Sequence, residues 1–149
     1  MLCPTIYQPN VEKKYNIGII PHISELNNPI VNKFIAEGED DIVLIDFKNY
    51  KSWETVIQLI CECRIIASSS LHGLILSDAY GIPNVWLCLN PKTGGGEFKF
   101  MDYFAGVARK YERYDVIDNI SSKIIKDYCN NYKGIKFDSK ALLNSCPFL

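Results

Sequence analysis

The chain has 149 residues, 48% of them hydrophobic and 22% charged, with a net charge of −1. That is the length of one domain with enough apolar side chain for a core, and the balanced charge gives neither nucleic acid nor an anionic membrane surface a handle. No apolar run approaches the ~20 residues of a membrane span, and Met1-Leu2-Cys3-Pro4 lacks the basic-then-apolar start of a signal peptide.

Residues 1–14 carry two prolines and no periodicity, and read as a linker or an interdomain remnant. Residues 15–149 then alternate strand and helix signals. Tyr15–His22 is a strand with Ile17, Ile19 and Ile20 as its apolar residues and Gly18 permitting close approach. His22 ends it, either as a cleft residue or as a solvent-facing turn histidine. Asn28 or Asn27 caps a helix with Pro29 at its first position, Val31, Phe34 and Ile35 form its apolar face, and Gly38 closes it. An acidic turn, Glu39-Asp40-Asp41, leads into a strand over 41–47 whose run of Ile42, Val43, Leu44 and Ile45 suits a sheet covered on both faces. Asp46 at its end holds a ligand hydroxyl or solvates the loop. Ser52 caps the next helix, with Thr55 three residues on. Trp53, Val56, Ile57, Leu59 and Ile60 pack that helix down.

The central stretch is Arg64–Cys88. Arg64–Ala67 is a short apolar strand. Ser68, Ser69 and Ser70 break the pattern, and a serine there suits the N-cap of the helix that follows. Leu71, Leu74, Ile75 and Ala79 recur at helical spacing. Gly81 stops the helix where a left-handed residue is wanted, and Pro83 opens a strand over Asn84–Cys88. This is a βαβ unit with its polar turn at the carboxyl end of a strand, where open α/β sheets bind ligands. The free N–H groups of the helix start suit an anion, phosphate above all. His72 stands in that first turn. It is a structural histidine or, beside three hydroxyls and a helix N-terminus, a proton-transfer group.

After Cys88 a loop rich in glycine (Gly94, Gly95, Gly96) offers backbone N–H groups to a ligand. Lys92 and Lys99 supply cations there, and no P-loop pattern is present. Phe98, Phe100, Tyr103, Phe104 and Val107 form an aromatic stripe, chiefly core, on the next helix. Tyr114–Ile117 is a short edge strand, Ser121–Tyr132 an amphipathic helix, and Asp138 the cap of a last helix. The six cysteines, Cys3, Cys61, Cys63, Cys88, Cys129 and Cys146, are scattered without zinc-site spacing, so no metal is expected. They read as free thiols of a cytoplasmic protein. The fold expected is α/β: a Rossmann-like parallel sheet with helices on both faces.

Ser69-Ser70-Leu71-His72-Gly73-Leu74-Ile75, followed by Asp78-Ala79-Tyr80-Gly81-Ile82-Pro83, resembles the hallmark of the polysaccharide pyruvyl transferases. Gly18-Ile19-Ile20-Pro21-His22 is similar to the first strand of that family's second domain. Gly94–Phe100 and Asp102-Tyr103-Phe104 are similar to its downstream loop and helix. The resemblance covers about residues 4–110. It implies the C-terminal, donor-binding half of a GT-B-like fold, whose N-terminal acceptor domain is absent from this chain. The implied activity is transfer of a pyruvyl group from phosphoenolpyruvate to a sugar of a surface polysaccharide as a ketal. No cofactor beyond that donor is implied, and the partners are the donor, a saccharide acceptor and either an N-terminal domain or a second copy across the vacant interdomain face. For that reaction His72 is the catalytic acid–base or an anion contact. Ser68, Ser69, Ser70, Leu71, Gly73, Lys99, Arg64 and His22 bind substrate. Many relatives carry Arg where this chain has Ser70, which removes a bidentate anion ligand. A nucleotide-sugar glycosyltransferase and a non-catalytic isolated domain are the alternative readings.

Overall fold

The computed structural model describes residues 1–38, 41–90 and 96–145. Five strands, β1 (Tyr15–Ile20), β2 (Ile42–Leu44), β3 (Cys63–Ser68), β4 (Asn84–Cys88) and β5 (Arg113–Asp115), pair in parallel in the order β2-β1-β3-β4-β5. The helices are α1 (Cys3–Ile6), α2 (Pro29–Glu37), α3 (Trp53–Glu62), α4 (Leu71–Ala79), α5 (Glu97–Gly106), α6 (Ser122–Asn130) and α7 (Ser139–Asn144). The expected Rossmann-like α/β architecture is present. Tyr114 and Asp115 belong to a fifth parallel strand at the sheet edge, paired with β4.

Alternation along the strands assigns the two faces. Ile17 and Ile19 of β1, Ala67 of β3, and Val85 and Leu87 of β4 meet Val31 of α2 and Ile125 and Cys129 of α6. Ile20 and Ile66 point the other way, to Val56 and Ile60 of α3. Trp86, on that same side, meets Phe100 and Phe104 of α5. Ile17, Ile19 and Ile20 are wholly buried, each worth about 1.5–3 kcal/mol of burial. Gly18 is required between them, because a Cβ there would lie 2.5 Å from Ile66 Cδ1 and 2.7 Å from Cys63 Sγ.

The caps agree with the local chemistry. Asn28 accepts from Ile30 N–H at 2.9 Å, Ser52 from Thr55 N–H at 3.4 Å, and Asp138 from Lys140 and Ala141 N–H at 2.9 and 3.0 Å. Helix α4 ends with Gly81 at φ +67°. Ile82 N–H bonds Ser77 O at 2.9 Å and Gly81 N–H bonds Asp78 O at 3.1 Å, so two orphan carbonyls are satisfied in a Schellman turn. Residues 1–14 are docked against the domain. Tyr80 donates to Tyr7 O at 2.8 Å, and Lys13 Nζ donates to Cys61 O and Cys63 O at 2.8 and 2.7 Å at the end of α3.

The amino edge of the sheet is held by a buried ionic cluster. Asp78, on α4, accepts from Arg109 at 2.9 Å, Tyr103 at 2.8 Å, Tyr132 at 2.8 Å and Asn84 at 2.6 Å. Arg109 also donates to Asn84 Oδ1 and Asn84 O and lies over the Phe104 and Tyr132 rings. Its side chain is 9% exposed and that of Asp78 0%. Asp78→Asn leaves the guanidinium buried without its counter-charge and should lower stability by about 3–5 kcal/mol in urea unfolding.

Burial, and then the Asp78 charge, raise the pKa values of Tyr103 and Tyr132 above the ordinary 10.0. The folded state therefore keeps phenolic protons that the unfolded chain gives up. Their contribution to stability is intact below pH 10 and is lost as pH rises above it. Unfolding free energies measured from pH 8 to 12 should be level and then fall, less steeply in Tyr103→Phe/Tyr132→Phe.

Candidate functional site

From β1 the chain crosses to β2 on one side, then returns past β1 to β3 on the other. Successive loops therefore part at the carboxyl ends of β1 and β3, and a crevice opens where the strand order reverses. The residues there are Pro21 and His22 after β1, and Ser69 and Ser70 between β3 and α4.

Two serines tie the crevice shut from beneath. Ser68 is wholly buried. Its Oγ lies 2.9 Å from Ile20 O and 2.8 Å from Ser70 O, either of which takes its one proton, and it accepts from Ser70 N–H at 3.0 Å. Ser69 N–H bonds Ile20 O at 3.1 Å. The Ser69 hydroxyl accepts from His22 N–H at 2.9 Å and donates to Glu25 Oε2 at 2.5 Å. Both hydroxyl protons are thus committed to protein acceptors, and neither serine donates to a ligand in this arrangement. Ser70 is the N-cap residue of α4, but its side chain makes no capping bond. The expected serine cap is not formed; Ser68 Oγ instead holds the Ser70 N–H, just ahead of the helix.

The crevice is bordered by the first turn of α4, where among the described residues no side chain caps the helix, together with the His72 side chain, which is exposed. Leu71 packs towards Leu74 and Trp86 and anchors the turn. Gly73 is buried, and a Cβ on it would overlap Ser68 Oγ and lie 2.9 Å from Ile20 Cγ2. This close approach brings α4 down onto the strand ends.

Two compartments adjoin this turn, and His22 lines both. The one on the β4–α5 side, about 210 Å³, includes Glu25, Ser69, Cys88, Glu97 and Lys99. Trp86 and Phe100 stack in its wall with centroids 4.1 Å apart, and Glu97 is paired with Arg113. Lys99 lies with Nζ 5.4 Å from the Phe100 ring centroid. Burial pushes the Cys88 thiol up from its ordinary value, which favours the thiol over the nucleophilic thiolate. The other compartment, about 480 Å³, holds Ser70 and His72 beside Tyr50 and Trp53.

The structure therefore brings together His22, Ser68, Ser69, Ser70, Leu71, His72, Gly73 and Lys99. It does not bring Arg64, which is the second residue of β3 and sits exposed at the amino edge, the far end of the strand from the serines. Asp46 turns back into its own loop. It accepts from Lys48 N–H at 2.6 Å, Asn49 N–H at 3.1 Å and Asn49 Nδ2 at 2.8 Å. Partial burial acts to raise its pKa, but these bonds outweigh it and hold the carboxyl below the usual range. Lys92, Gly94 and Gly95 of the glycine loop, Glu39 and Asp40 of the acidic turn, and Cys146 lie outside the described residues. Gly96 is described, at φ +91°, as the N-cap residue of α5.

Glu25 escaped the sequence-based expectations. It lies in a single 3-10 turn (Ile23–Glu25) with no periodicity to mark it, and its role exists only through contact with a residue 44 positions away. A larger cavity of about 660 Å³ lies beside Arg109, but that guanidinium is already occupied by Asp78 and Asn84.

The family model for polysaccharide pyruvyl transferase matches residues 5–87, more than half of the chain, and the chain belongs to that family. The match runs from α1 into β4 and takes in the whole crevice except the β4–α5 side, so the likeness noted for residues beyond 87 has no support from it. The "Uncharacterized protein L143" of Acanthamoeba polyphaga mimivirus is 29% identical over 139 residues, covering 89% of this chain and 46% of that protein. The chain thus spans about half the length of this curated relative. No solved structure gives a significant match.

Because the Ser68–Gly73 contact leaves no room for a methyl group, Gly73→Ala should lower stability by about 1–3 kcal/mol and displace the amide resonances of Ser69 and His22. Unchanged unfolding with unchanged amide shifts would show that α4 is not held at this distance.

Proposed function

We propose that this chain is the donor-binding half of a cytoplasmic pyruvyl transferase, and that phosphoenolpyruvate binds at the β1–β3 crevice. One observation carries the reading: the residues of the family's long motif form the first turn of α4, which no side chain caps among the described residues, at the carboxyl-end switch point. The helix dipole and the backbone donors both favour an anion there.

Phosphoenolpyruvate carries two anionic groups and a methylene carbon to be protonated. Its conversion to a ketal adds one proton to that carbon, creating an oxocarbenium-like centre. Two sugar hydroxyls bond to this centre and phosphate leaves. The hydroxyls give up two protons: one balances the proton taken by the methylene carbon, and one leaves with phosphate. In this scheme the N–H groups of Leu71–Gly73 hold one anionic group. His72, exposed beside them, delivers and recovers protons. Lys99 supplies the cation that Ser70 does not. Ser70 is 5% exposed, so its side chain is no substitute for an arginine. The acceptor surface is completed by a further domain or a second copy of this chain.

Calorimetric titration with phosphoenolpyruvate, UDP and inorganic phosphate tests this. Phosphoenolpyruvate should bind more tightly than either of the others. Lys99→Gln should weaken it about 10-fold or more, the value of a charge-assisted hydrogen bond. UDP binding without phosphoenolpyruvate binding would select a nucleotide-sugar glycosyltransferase instead.

In the catalytically complete enzyme, His72→Ala should reduce kcat by about 10²-fold or more. A loss under tenfold with normal stability would remove His72 from proton transfer.

A further inference from the structure

The two compartments that share His22 differ in charge. The smaller contains Glu25, Glu97 and Lys99. The larger has no Asp, Glu, Lys or Arg among the described residues that line it. Phe47, Tyr50 and Trp53 supply its aromatic lining, and His22, Ser70 and His72 are among its polar residues. Trp53 and Tyr50 are 46% and 52% exposed, a large aromatic area left open at the mouth of a groove of about 480 Å³. Trp53 is not loose, since Tyr7 braces it edge to face at a centroid distance of 5.5 Å.

This lining selects a kind of ligand. An anion finds no cation in it. A wholly apolar ligand would leave His22 and His72 unmatched. A ring with apolar C–H faces and hydroxyls at its rim satisfies both parts, its faces against the aromatic rings and its rim towards the histidines. The ring of His22 is held at one nitrogen by Ser24. Its Nδ1 accepts from Ser24 N–H at 3.3 Å and lies 2.7 Å from Ser24 Oγ. The other ring nitrogen then carries the hydrogen in the neutral form and is a donor.

We propose that the Tyr50–Trp53 groove is a binding subsite for a neutral saccharide, the acceptor, with a sugar ring on the aromatic wall and its hydroxyls turned towards His22 and His72. The inference rests on the pyruvyl-transfer reading for the word acceptor, because it sets the sugar hydroxyls next to the first turn of α4. It also moves part of the acceptor site onto this domain.

The chain's two tryptophans make the test direct, since Trp53 is 46% exposed and Trp86 4%. Protein labelled with 5-fluorotryptophan is titrated with methyl glycosides of neutral hexoses and with a short neutral oligosaccharide. Phosphoenolpyruvate binding is measured separately by calorimetry. The saccharide should move the Trp53 resonance to saturation and leave Trp86 in place. Trp53→Ala and Tyr50→Ala should each weaken saccharide binding at least tenfold by calorimetry while changing phosphoenolpyruvate affinity less than twofold. If phosphoenolpyruvate binds and no saccharide moves Trp53, the groove proposal fails and the donor reading stands. If a saccharide moves Trp53 and phosphoenolpyruvate does not bind, the donor reading fails and the groove is a saccharide site of another reaction. If self-association rather than sugar shifts Trp53, the groove is an interface between copies and the proposal is wrong.

Discussion

The contact on which the site depends is that between Ser68 and Gly73. At a switch point β1 and β3 leave the sheet in opposite directions, and the peptide groups at their ends lose the neighbours that a continuing strand would supply. The buried Ser68 side chain fills that gap, reaching Ile20 O, Ser70 O and Ser70 N–H at once. It does so only because Gly73 presents no side chain to it. A hydrogen-bonded strand junction and a helix start are thereby fixed to each other. The N–H groups of Leu71–Gly73 acquire a defined place in space as a result. Ser69 extends the tie to the loop after β1, so that His22 is positioned by its backbone before any ligand arrives.

Charge is divided between the two ends of the sheet. The amino edge holds the buried Asp78–Arg109 pair with two tyrosines and an asparagine around it, every polar atom partnered. The carboxyl edge keeps its groups at the surface. His72 is exposed, and among the described residues no carboxylate pairs with Lys99. Asp78 therefore belongs to the family-like motif for a structural reason. It fixes the far end of the same helix whose first turn forms the crevice, and joins it to α5 and the residues after α6.

Period and capping chemistry made most of the fold readable in advance. Ile17, Ile19 and Ile20, the helical spacing of Leu71 and Leu74, Asn28 with Pro29, and the left-handed Gly81 are local signals, and each holds in the structure. The crevice was legible for a similar reason: a polar turn between a buried strand and an amphipathic helix lies at a carboxyl end by topology alone. Arg64 was misplaced although strand direction argues against it. Five residues of extended chain separate it from Ser69, about 16 Å, and carry it to the opposite edge. The division of labour among Ser68, Ser69 and Ser70 could not be read, because it turns on which hydroxyl meets Ile20 O and which meets Glu25. Glu25 and Arg109 enter through contacts spanning tens of residues, which periodicity does not encode.

The most direct measurement of the central claim is a backbone amide titration of this chain with phosphoenolpyruvate. The account predicts saturable shifts concentrated at Leu71, His72 and Gly73, with smaller ones at His22 and Lys99, and none at Arg64. Saturable shifts centred on Arg109, or none anywhere, would contradict the placement of the donor at the first turn of α4.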